Sequence, residues 1–341
     1  MVRLDEASHY GKVKGQGMKI CVYGAGAVGG HLAARLARAG NEVSVVARGP
    51  QLEAIQKHGL TLILGGERLN APVRASADPA ELGQQDVVIS TLKAPGLAAV
   101  AEQIPSLLGR DTPVVFALNG IPWWYFHGAP ARNRRPDLAF LDPGGKLARH
   151  VGLERVIGCV IYSANVVVEP GVIQSNSGDN AFVLGEPDGK PTPRVQKLAE
   201  VIKGAGMGAP VRQDLRPEIW SKLLGNAAQS PICCLLERDL SVIGVPELYT
   251  LAGNLMRETI AAAAAGGVTL DGDVEKRLGF AKGGSTHKPS MLQDLELGRA
   301  MEIDAILVAV QRFAQAGGVP TPHLDACTAM LIEKARKLGC Y

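Results

Sequence analysis

The chain has 341 residues, of which 46% are hydrophobic and 20% charged, and its 36 basic and 33 acidic side chains leave a formal net charge of +3. This is the composition of an ordinary globular protein, and the balanced charge excludes a large electrostatic surface for nucleic acid or an anionic membrane. Glycine is abundant, with 41 residues, whereas only 4% of the chain is aromatic. At about 150 residues per domain, the length favours two domains.

The six cysteines show neither a CxxC pair nor the Cys/His spacing of a zinc site. They are therefore predicted to be reduced and packed, with no metal site, and a cytoplasmic location is expected. No segment reaches the roughly eighteen apolar residues of a membrane helix, so no membrane association is expected. Residues 1–17 are polar and rich in glycine and lysine, and they are predicted to form a flexible extension.

Alternating strand and helix patterns begin at Met18. The apolar run MKICVYG is followed by glycines, an Ala-rich helical segment and a second apolar run over 43–47. Two further apolar runs, at 86–92 and 113–118, flank a helical stretch over about 96–108. Wholly apolar runs are typical of parallel strands covered on both faces, so this part is predicted to be a Rossmann-type, doubly wound α/β sheet.

The second half changes in character. After about residue 150, apolar runs broken by Pro-Gly and Gly-Asp turns predict antiparallel strands that extend the same sheet. From Asp214 onward, Ala/Leu-rich periodic segments predict an all-α region with helices near 214–236, 246–266, 290–316 and 321–338. The predicted domains are therefore an α/β domain over 18–213 and a helical domain over 214–341.

A G-x-G-x-x-G sequence lies between the first strand and the first helix; it reads Gly24, Ala25, Gly26, Ala27, Val28 and Gly29. Alone it is a weak signal, because glycine is abundant, but its context strengthens it. In a dinucleotide site the first glycine makes the tight turn, the second lets the backbone approach the pyrophosphate, and the third lets the helix pack on the strand. These six residues are predicted to bind a dinucleotide, and a purely structural turn is the alternative.

In this fold, the residue at the end of the second strand distinguishes NAD(H) from NADP(H), because it contacts the ribose of the dinucleotide. Arg48 stands there without a neighbouring acid, which favours a 2′-phosphate and hence NADP(H) over NAD(H). Lys93 and Asn119 follow the next two strands at the carboxyl edge of the sheet, where ligands of open α/β sheets bind. An exposed loop arginine, a surface lysine and a turn asparagine are the respective alternatives.

Candidate catalytic residues lie in the helical half. Lys222 and Asn226 are four residues apart and share one face of a predicted helix, with Ser230 a further turn along. A lysine held beside an amide can donate a proton to a carbonyl, although a solvated lysine is the alternative. Ser290 is predicted to cap a helix whose N-terminus favours an anion, and Glu302 is predicted to lie later on the same helix. A structural cap and a surface acid are the alternatives here.

In this order, the segments resemble the ketopantoate reductase family (2-dehydropantoate 2-reductase, PanE/ApbA type) from Met18 almost to the C-terminus. The motifs that carry the resemblance are MKICVYGAGAVG, Arg48, STLKA, LNG, WSKL, SMLQDLELGRAMEID and GVPTP. The resemblance implies NADPH-dependent reduction of a 2-oxo acid to a 2-hydroxy acid. The reaction implied most directly is that of ketopantoate to (R)-pantoate in pantothenate biosynthesis.

The resemblance also implies residue roles. Lys222 matches the family's proton-donating lysine, and Glu302 matches the acid that contacts cofactor and substrate. The substrate-binding residues implied are Asn119, Lys222, Asn226, Ser230 and Ser290. The cofactor-binding residues implied are Gly24, Ala25, Gly26, Ala27, Val28, Gly29, Arg48, Lys93, Asn119, Ala164 and Glu302.

Some positions depart from the family pattern. Ser230 stands where an asparagine is common, Leu240 falls near another family asparagine, and His287 is the polar residue three before Ser290. Four consecutive aromatic residues, 123–126, either pack the junction between the domains or line a pocket for a bulkier substrate. The insertion over 127–150 is expected to be a lid or a partner surface, and its basic residues are Arg132, Arg134, Arg135 and Lys146.

Three alternatives stay open at the level of sequence. The first is a paralogous 2-oxo or 2-hydroxy acid dehydrogenase with a bulkier substrate, and the second is a non-catalytic NADP(H)-sensing protein. A β-hydroxyacid or opine-type dehydrogenase is a third, but the SMLQD and EID segments argue against it. Apolar helical faces are compatible with a homodimer, although a closed monomer would bury the same faces.

Overall fold

The structure, a computed structural model, describes residues 17–129, 135–176, 180–270, 273–282 and 285–341. The predicted extension over 1–17 lies outside the described residues except for Gly17, as do Arg132 and Arg134 of the insertion. None of the helices in these ranges is long and apolar enough to cross a membrane. The six cysteines are all unpaired and buried, as the sequence predicts.

Strands occupy the first part of the chain and helices dominate the rest. The strands are β1 (Lys19–Tyr23), β2 (Glu42–Val46), β3 (Leu60–Leu64), β4 (Glu67–Ala71), β5 (Arg74–Ser76), β6 (Val87–Ser90), β7 (Val114–Leu118), β8 (Val156–Tyr162), β9 (Asn165–Glu169), β10 (Val172–Ser175) and β11 (Ala181–Gly185). The helices are α1 (Ala27–Arg38), α2 (Gly49–His58), α3 (Ala94–Val100), α4 (Lys146–His150), α5 (Pro193–Gly204), α6 (Arg216–Leu236), α7 (Pro246–Ala265), α8 (Val274–Lys282), α9 (Ser290–Glu296), α10 (Ala309–Gly317) and α11 (Pro322–Lys337).

The main sheet has seven strands in the order β11-β8-β7-β6-β1-β2-β5. All neighbouring strands are parallel except β11, which runs antiparallel to β8. Six of these strands, all except β5, are buried along nearly their whole length, because helices cover both faces. The prediction of a doubly wound α/β sheet with an antiparallel extension and a helical C-terminal region is confirmed.

A second, four-stranded sheet has the order β4-β3-β10-β9. The prediction that every strand after residue 150 extends the main sheet is therefore wrong for β9 and β10. The reason is a long-range pairing, in which Ile173 of β10 lies beside Leu62 of β3 and both side chains are fully buried. Helix α1 packs on this sheet through Gly30, where a Cβ atom would lie 2.7 Å from Ile173 Cγ1.

The predicted helices near 214–236, 246–266 and 321–338 correspond to α6, α7 and α11, whereas the sequence did not predict α2, α4, α5 and α8. The single helix predicted over 290–316 is wrong. Helix α9 ends at Glu296, and Gly298, with φ +62°, turns the chain in the left-handed region that favours glycine. Helical structure resumes in a π-helical turn at Asp304–Val308, so Glu302 lies outside the helix that contains Ser290.

The aromatic segment 123–126 ties the sheet to the helical half. Arg216, at the start of α6, is buried and donates from Nε and Nη2 to the Tyr125 carbonyl oxygen at 3.2 and 2.9 Å. Trp220 donates from Nε1 to the Tyr125 hydroxyl at 2.8 Å, and its ring lies edge-on to Phe313 of α10. Of the two interpretations of this segment, packing at the junction is the one observed.

Gly158 of β8 lies against this junction, and a Cβ atom there would be 2.5 Å from the Trp124 ring and 2.6 Å from Leu215 Cδ1. We expect Gly158→Ala to lower the free energy of unfolding by about 1–3 kcal/mol, because overpacking forces neighbours apart. Gly96→Ala in α3 is the matched control, since its Cβ would meet no atom within 4 Å, and helix propensity should add up to about 1 kcal/mol. Urea denaturation measures both, and equal stabilities would contradict this packing.

Candidate active site

One cavity of about 820 Å³ lies at the carboxyl edge of the main sheet and extends to the helical half. The glycine loop, the segments after β6, β7 and β8, and one face of α6 form its wall. The predicted site residues that line it are Gly26, Ala27, Val28, Gly29, Lys93, Asn119, Ala164, Lys222, Asn226, Ser230 and Ser290. Leu240 and His287 line it as well, whereas the four aromatic residues 123–126 do not.

The three loop glycines meet three different requirements. Gly24 has φ +102°, a backbone conformation that residues with a side chain rarely adopt. A Cβ atom on Gly29 would collide with the Gly24 carbonyl oxygen and with Thr91 Oγ1, which itself donates to that carbonyl at 2.8 Å. A Cβ atom on Gly26 would instead meet no atom within 4 Å, because this residue faces the cavity. The loop thus leaves open space where a ligand can approach the backbone.

Helix α1 begins at this loop with its first amides directed toward the cavity. Its N-cap residue, Gly26, has no side chain to satisfy them, and the first turn contains no acidic residue. Free amides and the helix dipole together favour an anionic group such as a pyrophosphate. The loop and the helix therefore fit the diphosphate of a dinucleotide.

Lys222 lies in the second turn of α6 and directs its ammonium group toward the sheet edge. Nζ donates to Asn119 Oδ1 at 2.8 Å and also to the Ile161 carbonyl oxygen at the end of β8. Burial lowers the pKa of Lys222 to about 8, although the nearby Glu302 carboxylate partly opposes this shift. The spacing that places Asn226 one turn further along puts both side chains on the cavity wall.

Glu302 lies just before the π-helical turn and is buried behind the cavity wall. Its Oε2 accepts from Asn119 Nδ2 at 2.9 Å, and its Oε1 accepts from the Ala94 backbone N–H at 3.4 Å. Burial raises the pKa of Glu302, against the lowering effects of the Asn119 hydrogen bond and of Lys93. The Asn119 amide therefore bridges Lys222 and Glu302, with its oxygen toward the lysine and its nitrogen toward the acid.

Ser290 and Arg48 are the two remaining candidate residues, and each lies at the start of a helix. Ser290 is not a helix cap, because Pro289 occupies the N-cap position of α9 and Ser290 is the first helical residue, without a capping hydrogen bond. Its exposed hydroxyl nevertheless faces the cavity. Arg48 is the exposed N-cap residue of α2, at the carboxyl end of β2, and lies outside the cavity wall. Its role stays a prediction.

Two contacts in the site were missed by sequence reasoning. The Thr91 hydroxyl supports the glycine loop, and its position just after a buried strand is a signal that could have identified it. The Ile161 carbonyl accepts from Lys222, but a backbone acceptor has no sequence signal, since every residue carries one.

The charges around the cavity are asymmetric. Among the described residues, the wall contains four basic side chains and no carboxylate; the basic residues are Lys93, Lys222, Lys288 and Arg299. Two acids, Asp294 and Glu302, are almost fully buried behind the wall, and a third, Glu296, pairs with Lys288 at the rim. The cavity therefore favours an anionic ligand.

The sequence matches known proteins along most of its length. The model of ketopantoate reductase PanE/ApbA matches residues 20–137, and that of the ketopantoate reductase PanE/ApbA C terminal matches 214–335. A protein of Mesorhizobium japonicum named 2-dehydropantoate 2-reductase is 47% identical over 326 residues, which cover 95% of this chain and 100% of that protein.

Solved structures give the same result. The crystal structure of 2-dehydropantoate 2-reductase from Geobacter metallireducens has a TM-score of 0.80 and 28% identity, and covers 92% of this chain and 99% of its own. That of a PanE/ApbA family ketopantoate reductase from Ralstonia eutropha has a TM-score of 0.80 and 25% identity, with coverages of 94% and 99%. From its fold, its cavity and these matches along the chain, the protein belongs to the ketopantoate reductase family.

Proposed function

We propose that this chain catalyses the NADPH-dependent reduction of a 2-oxo acid to the 2-hydroxy acid, with ketopantoate as substrate and (R)-pantoate as product. The observation that carries the proposal is the array of Lys222, Asn119 and Glu302 in the same cavity as the glycine loop. Residues 18–213 then form the NADP-binding domain, and 214–341 form the substrate domain. The cytoplasmic location and the homodimer stay predictions.

NADPH supplies the hydride that reaches the carbonyl carbon of the substrate. The glycine loop and the start of α1 would hold the diphosphate of NADPH, and Lys93 and Ala164, on the same cavity wall, would contact the cofactor. Arg48 binds the 2′-phosphate at the carboxyl end of β2, where the ribose of a dinucleotide lies in this fold. Lys93, Lys222 and Arg299 of the wall are the cations available to the phosphates and to the carboxylate of a 2-oxo acid, because Glu296 already pairs with Lys288.

Lys222 acts on the oxygen of the substrate carbonyl. An ammonium group has three N–H donors, and two of them bind Asn119 and the Ile161 carbonyl, which leaves one for the substrate. As hydride arrives, negative charge develops on the carbonyl oxygen, where the ammonium stabilises it and then transfers its proton. A pKa of about 8 suits this task, because the group is protonated at neutral pH and still a competent acid.

Asn119 and Glu302 keep this ammonium in place. Glu302 accepts from the Asn119 amide nitrogen, so the amide oxygen is turned toward Lys222. Asn226 and Ser230 lie further along the same face of α6, where they contact the substrate, and Ser290 faces them from α9. Ser230 and Leu240 make this part of the wall less able to bind hydroxyl groups than asparagines would.

An NADPH oxidation assay with a panel of 2-oxo acids, ketopantoate included, tests the function. We expect ketopantoate to be turned over with the highest kcat/KM in the panel. Higher kcat/KM for a bulkier 2-oxo acid would identify a paralogous reductase. Tight NADPH binding without turnover of any 2-oxo acid would contradict the proposal and favour a sensor.

Lys222 should control the pH dependence of the reaction. As pH rises through about 8, the ammonium loses its proton and kcat should fall. Lys222→Met should lower kcat by about 10²–10⁴-fold while the Kd of NADPH changes less than about threefold, since the loss is of acid catalysis. Kinetics between pH 6 and pH 10 and fluorescence titration measure both. Near-normal turnover of the variant would exclude this role, and a descending limb near the ordinary pKa of lysine would contradict the desolvation of Lys222.

The loop glycines provide a matched pair. Gly26→Ala should weaken NADPH binding at least about tenfold and leave unfolding within about 0.5 kcal/mol of the parent, because its Cβ enters only the cavity. Gly29→Ala should instead lower the stability by about 1–3 kcal/mol, because its Cβ meets the backbone. Thermal denaturation and NADPH titration separate the two effects. Unchanged NADPH affinity in Gly26→Ala would place the diphosphate elsewhere.

Arg48 should determine the choice between cofactors. Arg48→Ala is expected to raise the KM for NADPH at least about tenfold and leave the KM for NADH nearly constant, because only NADPH carries a 2′-phosphate. Arg38→Ala, an exposed arginine on α1 that donates to the Asn70 carbonyl, serves as a control. The same preference for NADPH in parent and Arg48→Ala would remove the residue from the cofactor site.

A further inference from the structure

A buried carboxylate joins two basic residues of the cavity wall. Asp294 of α9 is 1% exposed and does not itself line the cavity. Lys93, which follows β6 in the sheet half, donates from Nζ to Asp294 Oδ2. Arg299, in the helical half, has its Nε atom 3.1 Å from Asp294 Oδ1. One carboxylate thus holds a cation from each half of the molecule.

The turn after α9 places Arg299 beside this carboxylate. Gly298 adopts its left-handed conformation, and the Arg299 backbone N–H then donates to the Asp294 carbonyl at 2.8 Å. This local closure brings the guanidinium back over the end of the helix that carries Asp294. The backbone hydrogen bond and the ion pair of the side chain with Asp294 together determine the position of Arg299.

Burial of a carboxylate costs free energy unless cations or donors compensate it. Asp294 Oδ2 meets this requirement by accepting a hydrogen bond from Lys93, whereas Oδ1 has no hydrogen-bond partner among the described residues and is compensated by the charge of Arg299 alone. The side chains of Lys93 and Arg299 remain 39% and 53% exposed. A guanidinium has five N–H donors, and only the Nε side of Arg299 faces Asp294. The Nη groups are left for a ligand in the cavity that both residues line.

The fourth basic residue of the wall differs from Arg299. Lys288 donates to both oxygens of Glu296 at 2.7 and 2.9 Å, and both side chains are partly exposed at the rim. Its charge is therefore neutralised by an exposed partner, and its ammonium is not anchored by a buried group. Lys288 serves as a matched control for the charge of Arg299.

Building on the proposed function, we propose that Arg299 binds an anionic oxygen group of a ligand in this cavity, and that Asp294 is the residue that positions it. The group is either a phosphate of the dinucleotide or the carboxylate of the 2-oxo acid. Both present a pair of anionic oxygens, which the parallel N–H donors of a guanidinium recognise. Because Asp294 also holds Lys93, it positions one cation from each half along the same cavity.

The test uses Arg299→Met, Arg299→Lys, Asp294→Asn and the control Lys288→Met. The Kd of NADPH is measured by fluorescence titration without substrate, and the Kd of ketopantoate by calorimetry on the complex with NADP⁺. We expect Arg299→Met to raise one of these constants at least tenfold, and Lys288→Met to change both less than twofold. A higher Kd for NADPH identifies the phosphate as the ligand group, and a higher Kd for ketopantoate alone identifies the carboxylate.

Asp294→Asn should raise the same constant as Arg299→Met, by at least threefold, and Arg299→Lys should recover part of the affinity. A general loss of stability in Arg299→Met would affect both constants, so its selectivity for one constant separates ligand binding from folding. The inference is overturned if Arg299→Met matches Lys288→Met in both titrations. Neither titration requires turnover, so failure of the proposed reaction would be seen separately, as a parent protein that binds both ligands without oxidising NADPH.

Discussion

The side-chain amide of Asn119 is the contact on which the rest of the site depends. Its oxygen accepts from Lys222 and its nitrogen donates to Glu302, so one group from the end of β7 orients an ammonium on α6 and a carboxyl before the π-helical turn. Both contacts cross between the sheet half and the helical half. The arrangement therefore exists only where the two halves pack together, and the cavity with its basic wall is formed by the same packing.

A small cluster of aromatic residues packs the two halves together. Tyr125, Trp220 and Phe313 form edge-on ring contacts and a hydrogen bond at the junction, and Arg216 secures the Tyr125 carbonyl. Aromatic rings bury a large area with few rotatable bonds, so they hold α6 in a defined orientation at a small entropic cost. Lys222 lies two residues after Trp220, and its position is therefore a consequence of this junction.

Much of the fold follows from the sequence, and the exceptions have physical causes. The parallel strands and the glycine loop were predictable because their patterns are local and strong. The break in the helix expected over 290–316 was not predictable, because the apolar pattern continues through Gly298, where the backbone turns. The pairing of β10 with β3 brings together segments more than 100 residues apart, and no local pattern shows which sheet a strand will join.

The sequence by itself determined the local requirements: glycine at the turn before α1, Lys222 and Asn226 on one helical face, and Arg48 in place of an acid after β2. These depend on backbone conformation and periodicity within a few residues. Only the tertiary structure decided that Lys222 is desolvated with a pKa of about 8, that Asn119 joins it to Glu302, and that a buried Asp294 holds Lys93 and Arg299. Burial and long-range contacts set these properties, because the charge on a side chain responds to whatever the fold places around it.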